Sequence, residues 1–220
     1  MSIRKKILAT SIGPVLVLGV ITLLFMLTMV KSSLMDEVQD ALKGTAAATL
    51  AAYDQNTGDY LESTNGDIWK GSYNISKSEN LVDRIKENTG MDVTFFYGNK
   101  RIMTSALDKK GNRILGSEAG ERVVNQVIKG KKPFFSTNVS LDGTRNYGYF
   151  IPVYQNGTTD QVIGMVFVGT NKAQKDAIVN KILGSIMMAL LVVMFLCIVT
   201  AMRMAASISC LLYTSDAADD

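Results

Sequence analysis

The chain lacks histidine entirely and has only two cysteines, three prolines and one tryptophan among its 220 residues. Histidine is the commonest metal ligand and the commonest general base, so its absence argues against a metal site and against catalysis. The cysteines, Cys197 and Cys210, lie within and beyond the second of two long apolar runs, so no disulfide can form between the runs. No nucleophile motif such as Gly-x-Ser-x-Gly occurs. We therefore expect neither an enzyme nor a bound cofactor.

Charge is absent from two long stretches, 24 residues at 7–30 and 21 residues at 182–202. At about 1.5 Å per residue, each stretch can cross a hydrocarbon core of about 30 Å. Both are predicted transmembrane helices, and the first is longer than the apolar core of about 7–15 residues in a signal peptide, which indicates an uncleaved anchor. They enclose residues 31–181, which are enough for one globular domain.

Basic residues flank the two apolar runs on the outer sides. Arg4, Lys5 and Lys6 stand in the first segment, residues 1–6, and Arg203 follows the second run. By the positive-inside rule both ends are cytoplasmic, which leaves the middle domain outside the cytoplasm. Residues 31–180 contain 18 lysines and arginines against 17 acidic residues, so nothing indicates a nucleic-acid partner.

The first membrane helix is expected to continue into the middle domain, because residues 31–53 contain no proline, one glycine and many alanines. A weakly apolar stripe recurs there at alternating spacings of four and three, the period of a seam between helices. Its members are Leu34, Val38, Ala41, Thr45, Ala48 and Ala52. The stripe either packs only on its own sheet or also joins two subunits in a homodimer through residues 34–52.

The remaining pattern predicts an α+β domain with a five-stranded antiparallel sheet. Amphipathic helices are predicted at 78–88 and 117–129, and strands at 93–97, 101–105, 134–141, 146–154 and 161–169. Residues 59–78 show no clear periodicity and are interpreted as a loop or a short turn region. Trp69 and Tyr73 in this loop are either lid residues over a ligand or plugs over the edge of the core.

A hairpin around Gly98, Asn99 and Lys100 is the centre of the predicted ligand site. With a three-residue loop, Tyr97 would face Arg101, Phe95 would face Met103 and Val93 would face Ser105, all on one side of the sheet. Arg101 could then hold a carboxylate through two hydrogen bonds, or it could be an edge arginine in solvent. The candidate ligand-binding residues are Trp69, Tyr73, Phe95, Tyr97, Arg101, Met103, Ser105, Tyr147, Tyr149 and Phe167.

Several runs together resemble a known sensor family. They are ESTNGD at 62–67, TGMDVTFFYG at 89–98, RIMTS at 101–105, YGYFIP at 147–152 and IGMVFVG at 163–169. With a long first helix and two flanking spans, the chain looks like the single-Cache, PAS-like sensor region of bacterial methyl-accepting chemotaxis proteins. The resemblance implies a dimeric sensor in the bacterial cell (inner) membrane that binds small organic ligands, such as carboxylates and amino acids, outside the cytoplasm. The same module also heads histidine kinases and cyclic-dinucleotide enzymes, and a membrane-anchored surface protein without a ligand is a further alternative.

The carboxyl end departs from that family. Residues 203–209 resemble the start of a HAMP linker, the expected connection to a cytoplasmic signalling coiled coil. Residues 210–220 contain no heptads and resemble translated adapter sequence. We therefore expect a chain truncated after the second span, which can bind a ligand but lacks an output module.

Overall fold

A computed structural model describes residues 3–156 and 158–216 and divides the chain into two units. One unit contains the chain up to Met35 and from Ala177 onward, and the other is the central unit, Asp36–Asp176. The elements, in chain order, are α1 Ile3–Asp54, β1 Tyr60–Glu62, β2 Ile68–Lys70, β3 Tyr73–Asn74, α2 Glu79–Thr89, β4 Asp92–Tyr97, β5 Lys100–Thr104, α3 Glu121–Val123, β6 Phe134–Leu141, β7 Thr144–Tyr154, β8 Val162–Asn171 and α4 Lys172–Asp216.

The two longest helices contain the predicted membrane spans. The segments Ile12–Asp54 of α1 and Lys172–Ser207 of α4 are long and apolar enough to cross a membrane. The predicted continuation of the first span into the middle domain is confirmed, because α1 runs without a break to Asp54. Residues 210–216 fall within α4, and residues 217–220 of the predicted tail lie outside the described part of the chain.

The central unit is built on the predicted five-stranded antiparallel sheet, in the order β5-β4-β8-β7-β6. The bounds of β6 are those predicted from the sequence, and the Asp142-Gly143 turn joins it to β7, with Leu141 opposite Thr144. The last strand, β8, pairs with both β4 and β7 and is buried over most of its length, as its continuous apolar run indicated.

One side of α1 packs within the central unit. Its fully buried residues are Leu42, Ala46, Thr49 and Tyr53, again at spacings of four and three. This set lies one position away from most of the predicted stripe, of which Ala41 and Ala48 are exposed and the other four members are half-buried. The predicted stripe therefore lies at the edge of the face through which α1 packs on its own domain.

The segment predicted as a loop at 59–78 is instead a small antiparallel sheet of β1, β2 and β3, followed by a 3₁₀ turn at Ile75–Lys77. Its strands have only two or three residues, too few to show an alternating pattern. Gly71 makes its last turn possible, since it has a φ of +55° and a Cβ atom there would lie 1.9 Å from the Thr57 carbonyl oxygen. The loop prediction is wrong.

The predicted helix at 117–129 begins only at Glu121 and continues from Val124 to Lys129 as a π-helix. Residues 116–119 run beside β5 instead: the Arg101 N–H donates to the Ser117 carbonyl oxygen, and the Ala119 N–H donates to that of Asn99, at 2.9 and 2.8 Å. This long-range pairing overrides the local helical pattern. The other predicted helix, α2, ends as expected at Gly90, which has a left-handed φ of 70°.

Candidate functional site

The hairpin of β4 and β5 contains a β-bulge that decides which way Arg101 points. Phe95 lies opposite Met103 as predicted, but Phe96 lies opposite Arg101, and Tyr97 lies opposite Lys100. Ile102 is the extra residue of β5. Because a bulge interrupts the alternation of side chains, Met103 and Arg101 lie on opposite faces of the sheet although they are two residues apart. The predicted pairing of Tyr97 with Arg101, and the shared face of all these side chains, are therefore wrong.

The face with Phe95 is closed by α1 and the small sheet. The Phe95 ring lies 5.2 Å from that of Tyr53 and 5.8 Å from that of Tyr60, between centroids. Burial raises the pKa of both tyrosine hydroxyls above the usual range, but each has a partner: Tyr53 shares a 2.9 Å hydrogen bond with Ser78, and Tyr60 donates to Asp54 at 2.8 Å. This face is a hydrogen-bonded core.

The opposite face carries a cavity of about 500 Å³. Its walls come from the β4–β5 hairpin, from residues 118–120, 122 and 123 of the crossover to β6, and from β6 residues 134–140. Phe150 of β7 and Phe167 of β8 complete it, with ring centroids 4.8 Å apart. A cavity of this volume lies within the range of about 300–1,000 Å³ that is typical of small-molecule sites.

Two glycines of the sheet create the space for the Phe167 ring. A Cβ atom on Gly148 of β7 would lie 2.5 Å from this ring, and one on Gly169 of β8 would lie 2.4 Å from it. Real Cβ atoms do not approach so closely, so any larger residue would force the ring to move. The ring therefore covers the two glycines, and its position in the cavity wall depends on them.

Arg101 is the charged side chain buried in this wall, with 8% of its surface exposed. Its guanidinium lies 5.3 Å from the centre of the Phe96 ring, and Nη1 donates a long 3.4 Å hydrogen bond to the Ile114 carbonyl oxygen. Its Nε has no hydrogen-bond partner, and no ion pair within the described ranges includes Arg101. Burial lowers the pKa of this guanidinium, an effect that the negative charge of Asp92 opposes.

An unpaired cation at this degree of burial is unfavourable unless another group compensates it. Asp92 does not do so directly, since its carboxylate forms a 2.8 Å ion pair with Lys86. The other charged residues that line the cavity, Glu118 and Arg122, are exposed, and the Arg122 guanidinium lies 5.5 Å from the centre of the Phe134 ring. The cavity thus has a cationic inner wall, aromatic sides and an ionic rim.

Of the ten predicted ligand-binding residues, Arg101 and Phe167 line this cavity. Phe95, Met103 and Ser105 belong to the α1 side, where the Ser105 hydroxyl donates to Asp92. The other five also lie outside the cavity wall: Trp69 and Tyr73 in the small sheet, Tyr97 at the end of β4, and Tyr147 and Tyr149 on the side of β7 opposite Phe150.

Sequence reasoning missed Phe96, Glu118, Arg122, Phe134 and Phe150. Phe96 and Phe150 had a usable signal, because each alternates with a residue that was selected on the opposite face. Glu118 and Arg122 had none, since they belong to the irregular crossover segment.

The sheet, its helix-covered face and its open cavity define a Cache sensor domain. Residues 73–182, half of the chain, match the family model described as single cache domain 3, and the chain belongs to this family. The chain matches no curated protein. Among solved structures, it is similar to an extracellular ligand binding receptor from Desulfohalobium retbaense DSM5692, with 14% identity and a TM-score of 0.49. The match covers 70% of this chain and 26% of that receptor, so the chain spans about a quarter of its length.

Proposed function

We propose that this chain is the sensor region of a bacterial chemoreceptor that binds a small organic anion, a carboxylate or an amino acid, in the cavity beside Arg101. The observation that carries the proposal is a buried guanidinium that has no acidic partner among the described residues and lies in the wall of a cavity of about 500 Å³. A ligand carboxylate would supply the missing hydrogen-bond acceptors in a bidentate arrangement. Membership of a Cache family supports the sensor role.

In this proposal α1 and α4 cross the inner membrane and the central unit lies outside the cytoplasm. Both helices contain segments long and apolar enough to span a bilayer. The basic residues at 4–6 and at Arg203 favour cytoplasmic ends. The receptor would therefore meet its ligand on the outer side and pass the signal inward through α4.

The first turn of α4 is bound to strands of the sheet, which offers a route for that signal. Lys172 Nζ donates to the Thr137 carbonyl oxygen of β6 at 3.1 Å, and Thr137 lines the cavity. The Tyr147 hydroxyl of β7 donates to Asp176 at 2.6 Å. A ligand that displaces β6 would act on α4 through these contacts, and its effect is limited to its difference in affinity for the two states, typically about 1–3 kcal/mol.

A homodimer through the helical stripe at 34–52 is part of the proposal. Ala41 and Ala48 of that stripe are exposed, which leaves them free to meet a second subunit. We expect single cysteines placed at Val38 and Ala41 to form cross-linked dimers in membranes under mild oxidation. A cysteine at Arg84, an exposed position on the separate helix α2, is the control. No cross-linked dimer at Val38 and Ala41, or equal cross-linking at all three positions, would contradict pairing through this stripe.

The test of ligand binding is a thermal-shift screen of the full chain in lipid nanodiscs against organic acids, amino acids, amines and purines. A ligand that binds only the native state raises stability by about 2.7 kcal/mol at 100 times its dissociation constant. We expect a saturable shift with an acidic compound, which Arg101→Ala abolishes without unfolding the domain and the exposed control Arg84→Ala leaves unchanged. No shift across the whole panel would overturn the sensor proposal.

A further inference from the structure

We propose that the ligand is a monocarboxylate with an aromatic or similarly bulky apolar body and without an ammonium group. This inference rests on the proposed function and specifies the chemistry of its ligand. It follows from three properties of the cavity: where its buried charge lies, what its sides are made of, and which charges are missing from its interior.

The buried charge fixes the ligand's anionic end. Arg101 lies against Phe96 on one side, and among the described residues its buried Nε has no hydrogen-bond partner. Its backbone N–H donates to the carbonyl oxygen of Ser117, whose buried Oγ is likewise unpartnered in the described part of the chain. The weak 3.4 Å hydrogen bond to the Ile114 carbonyl oxygen leaves most of the guanidinium's donors available. A carboxylate matches the planar fork of donors, whereas a neutral amide accepts through one oxygen only and brings no charge.

The sides of the cavity fix the ligand's body. The rings of Phe96, Phe134, Phe150 and Phe167 all face it, and Phe134 lies 6.4 Å from Phe150 between centroids. A two- or three-carbon acid occupies only a small part of about 500 Å³ and would leave water beside the half-buried Phe134 ring. An aromatic ring would displace that water and make the offset or tilted contacts that aromatic groups favour.

The missing charges argue against an amino acid. The α-ammonium of an amino acid is one carbon away from its carboxylate, so it would lie beside the Arg101 cation among apolar walls. Glu118 is the one carboxylate among the residues that line the cavity, and it is exposed at the rim, where solvent screens it. An ammonium group in the interior would therefore be desolvated without a counter-ion.

Four compounds that differ by one group each test this inference by calorimetric titration of the full chain in nanodiscs. They are 3-phenylpropionate, L-phenylalanine, which adds the ammonium group, 3-phenylpropionamide, which removes the charge, and propionate, which removes the ring. We expect saturable binding of 3-phenylpropionate and about 10- to 100-fold weaker binding of each of the other three.

Variants of residues in the cavity wall test whether these differences in affinity arise in the cavity. Arg101→Met should bind 3-phenylpropionate no better than its amide, and Phe134→Ala should weaken binding of 3-phenylpropionate while leaving that of propionate unchanged. The exposed Arg84→Met is the control and should match the unaltered chain. If Arg101→Met fails to fold, the ratio of acid to amide affinity in the unaltered chain still decides whether the anionic group is recognised.

The outcomes separate this inference from the proposed function. Phenylalanine, the amide or propionate binding as tightly as 3-phenylpropionate would overturn the ligand class while supporting a sensor. Failure of all four compounds, together with another organic acid or an amino acid that binds in the thermal-shift screen, would also overturn the class alone. A purine or amine that binds there instead would overturn both the class and the organic anion of the proposed function, and would leave only the sensor role. Failure of the entire screen would overturn both proposals.

Discussion

The two faces of the main sheet bury aromatic rings of the same kind, but they differ in whether their buried polar groups have hydrogen-bond partners. On the face covered by α1, Phe95, Tyr53 and Tyr60 are almost completely buried, and both tyrosine hydroxyls have hydrogen-bond partners. On the other face Phe150 and Phe167 are equally buried, yet Arg101 keeps an unpaired Nε beside an open cavity. Satisfied polar groups close a core, whereas an unsatisfied buried cation beside open space indicates a place for a ligand.

The comparison predicts that truncating a ring costs far more on the closed face. Phe95→Ala should lower the free energy of unfolding by about 3–5 kcal/mol, since it removes a fully buried ring between two tyrosines. Phe134→Ala should cost only about 1–2 kcal/mol, because this half-buried ring already borders open space. Urea unfolding in detergent micelles, followed by fluorescence of Trp69, the only tryptophan, measures both. Equal losses would contradict the distinction between a core face and a cavity face.

A second prediction concerns the glycines beneath Phe167. Gly148→Ala should cost about 1–3 kcal/mol, because the new methyl group would lie 2.5 Å from the ring and displace it towards the cavity. The same displacement should weaken binding of any ligand found in the thermal-shift screen. Gly44→Ala is the matched control, since nothing lies within 4 Å of a Cβ atom there, and alanine favours a helix. Unchanged ligand affinity in Gly148→Ala would show that the Phe167 ring does not shape the site.

The sequence was sufficient to predict the strands of the sheet but not which face of the sheet each side chain lies on. Alternation and turn residues predicted all five strands, and the bounds of β6 were correct, because strand existence depends on local composition. The direction of Arg101 depends on the extra residue Ile102 in β5, and nothing in the regular run from Lys100 to Thr104 indicates a bulge. One such residue was enough to move the predicted site to the closed face.

The helix predicted for the crossover segment at 117–129 was partly wrong for a related reason. Residues 117–119 have a helical pattern but pair with the hairpin instead, which only the tertiary fold reveals. Arg101 and Phe167, both predicted as ligand-binding residues, line the cavity, and Arg101 was selected because a purely structural sheet face does not need a cation. Their role in ligand binding stays a prediction.

The smallest expected effect concerns the ion pair that ties the cavity side to the closed side around the edge of β5. Arg113 of the crossover donates two hydrogen bonds to Asp83 of α2, at 2.9 and 2.6 Å, and a third to the Thr104 carbonyl oxygen. The hydrogen bonds from Arg113 hold the pKa of the Asp83 carboxyl below its usual value, with a further contribution from the charges of Arg113 and Lys86. The pair therefore stabilises the folded chain while Asp83 is ionised.

Because the pKa of Asp83 is lower in the folded chain than in the unfolded chain, the pair stabilises the fold at every pH above about 3.9, the unfolded pKa. This stability is lost as the pH falls through the pKa of the folded chain. Because the Asp83 side chain is 42% exposed, we expect Asp83→Asn to cost only about 0.5–1 kcal/mol at neutral pH. The difference between variant and unaltered chain should shrink below about pH 4, when the unaltered chain loses the same interaction. Glu87→Gln, at an exposed position of the same helix, is the control. If the loss of unfolding free energy in Asp83→Asn stayed constant down to pH 2, the pair would contribute packing rather than charge. The charge of Asp83 would then not be needed to join the two sides of the sheet.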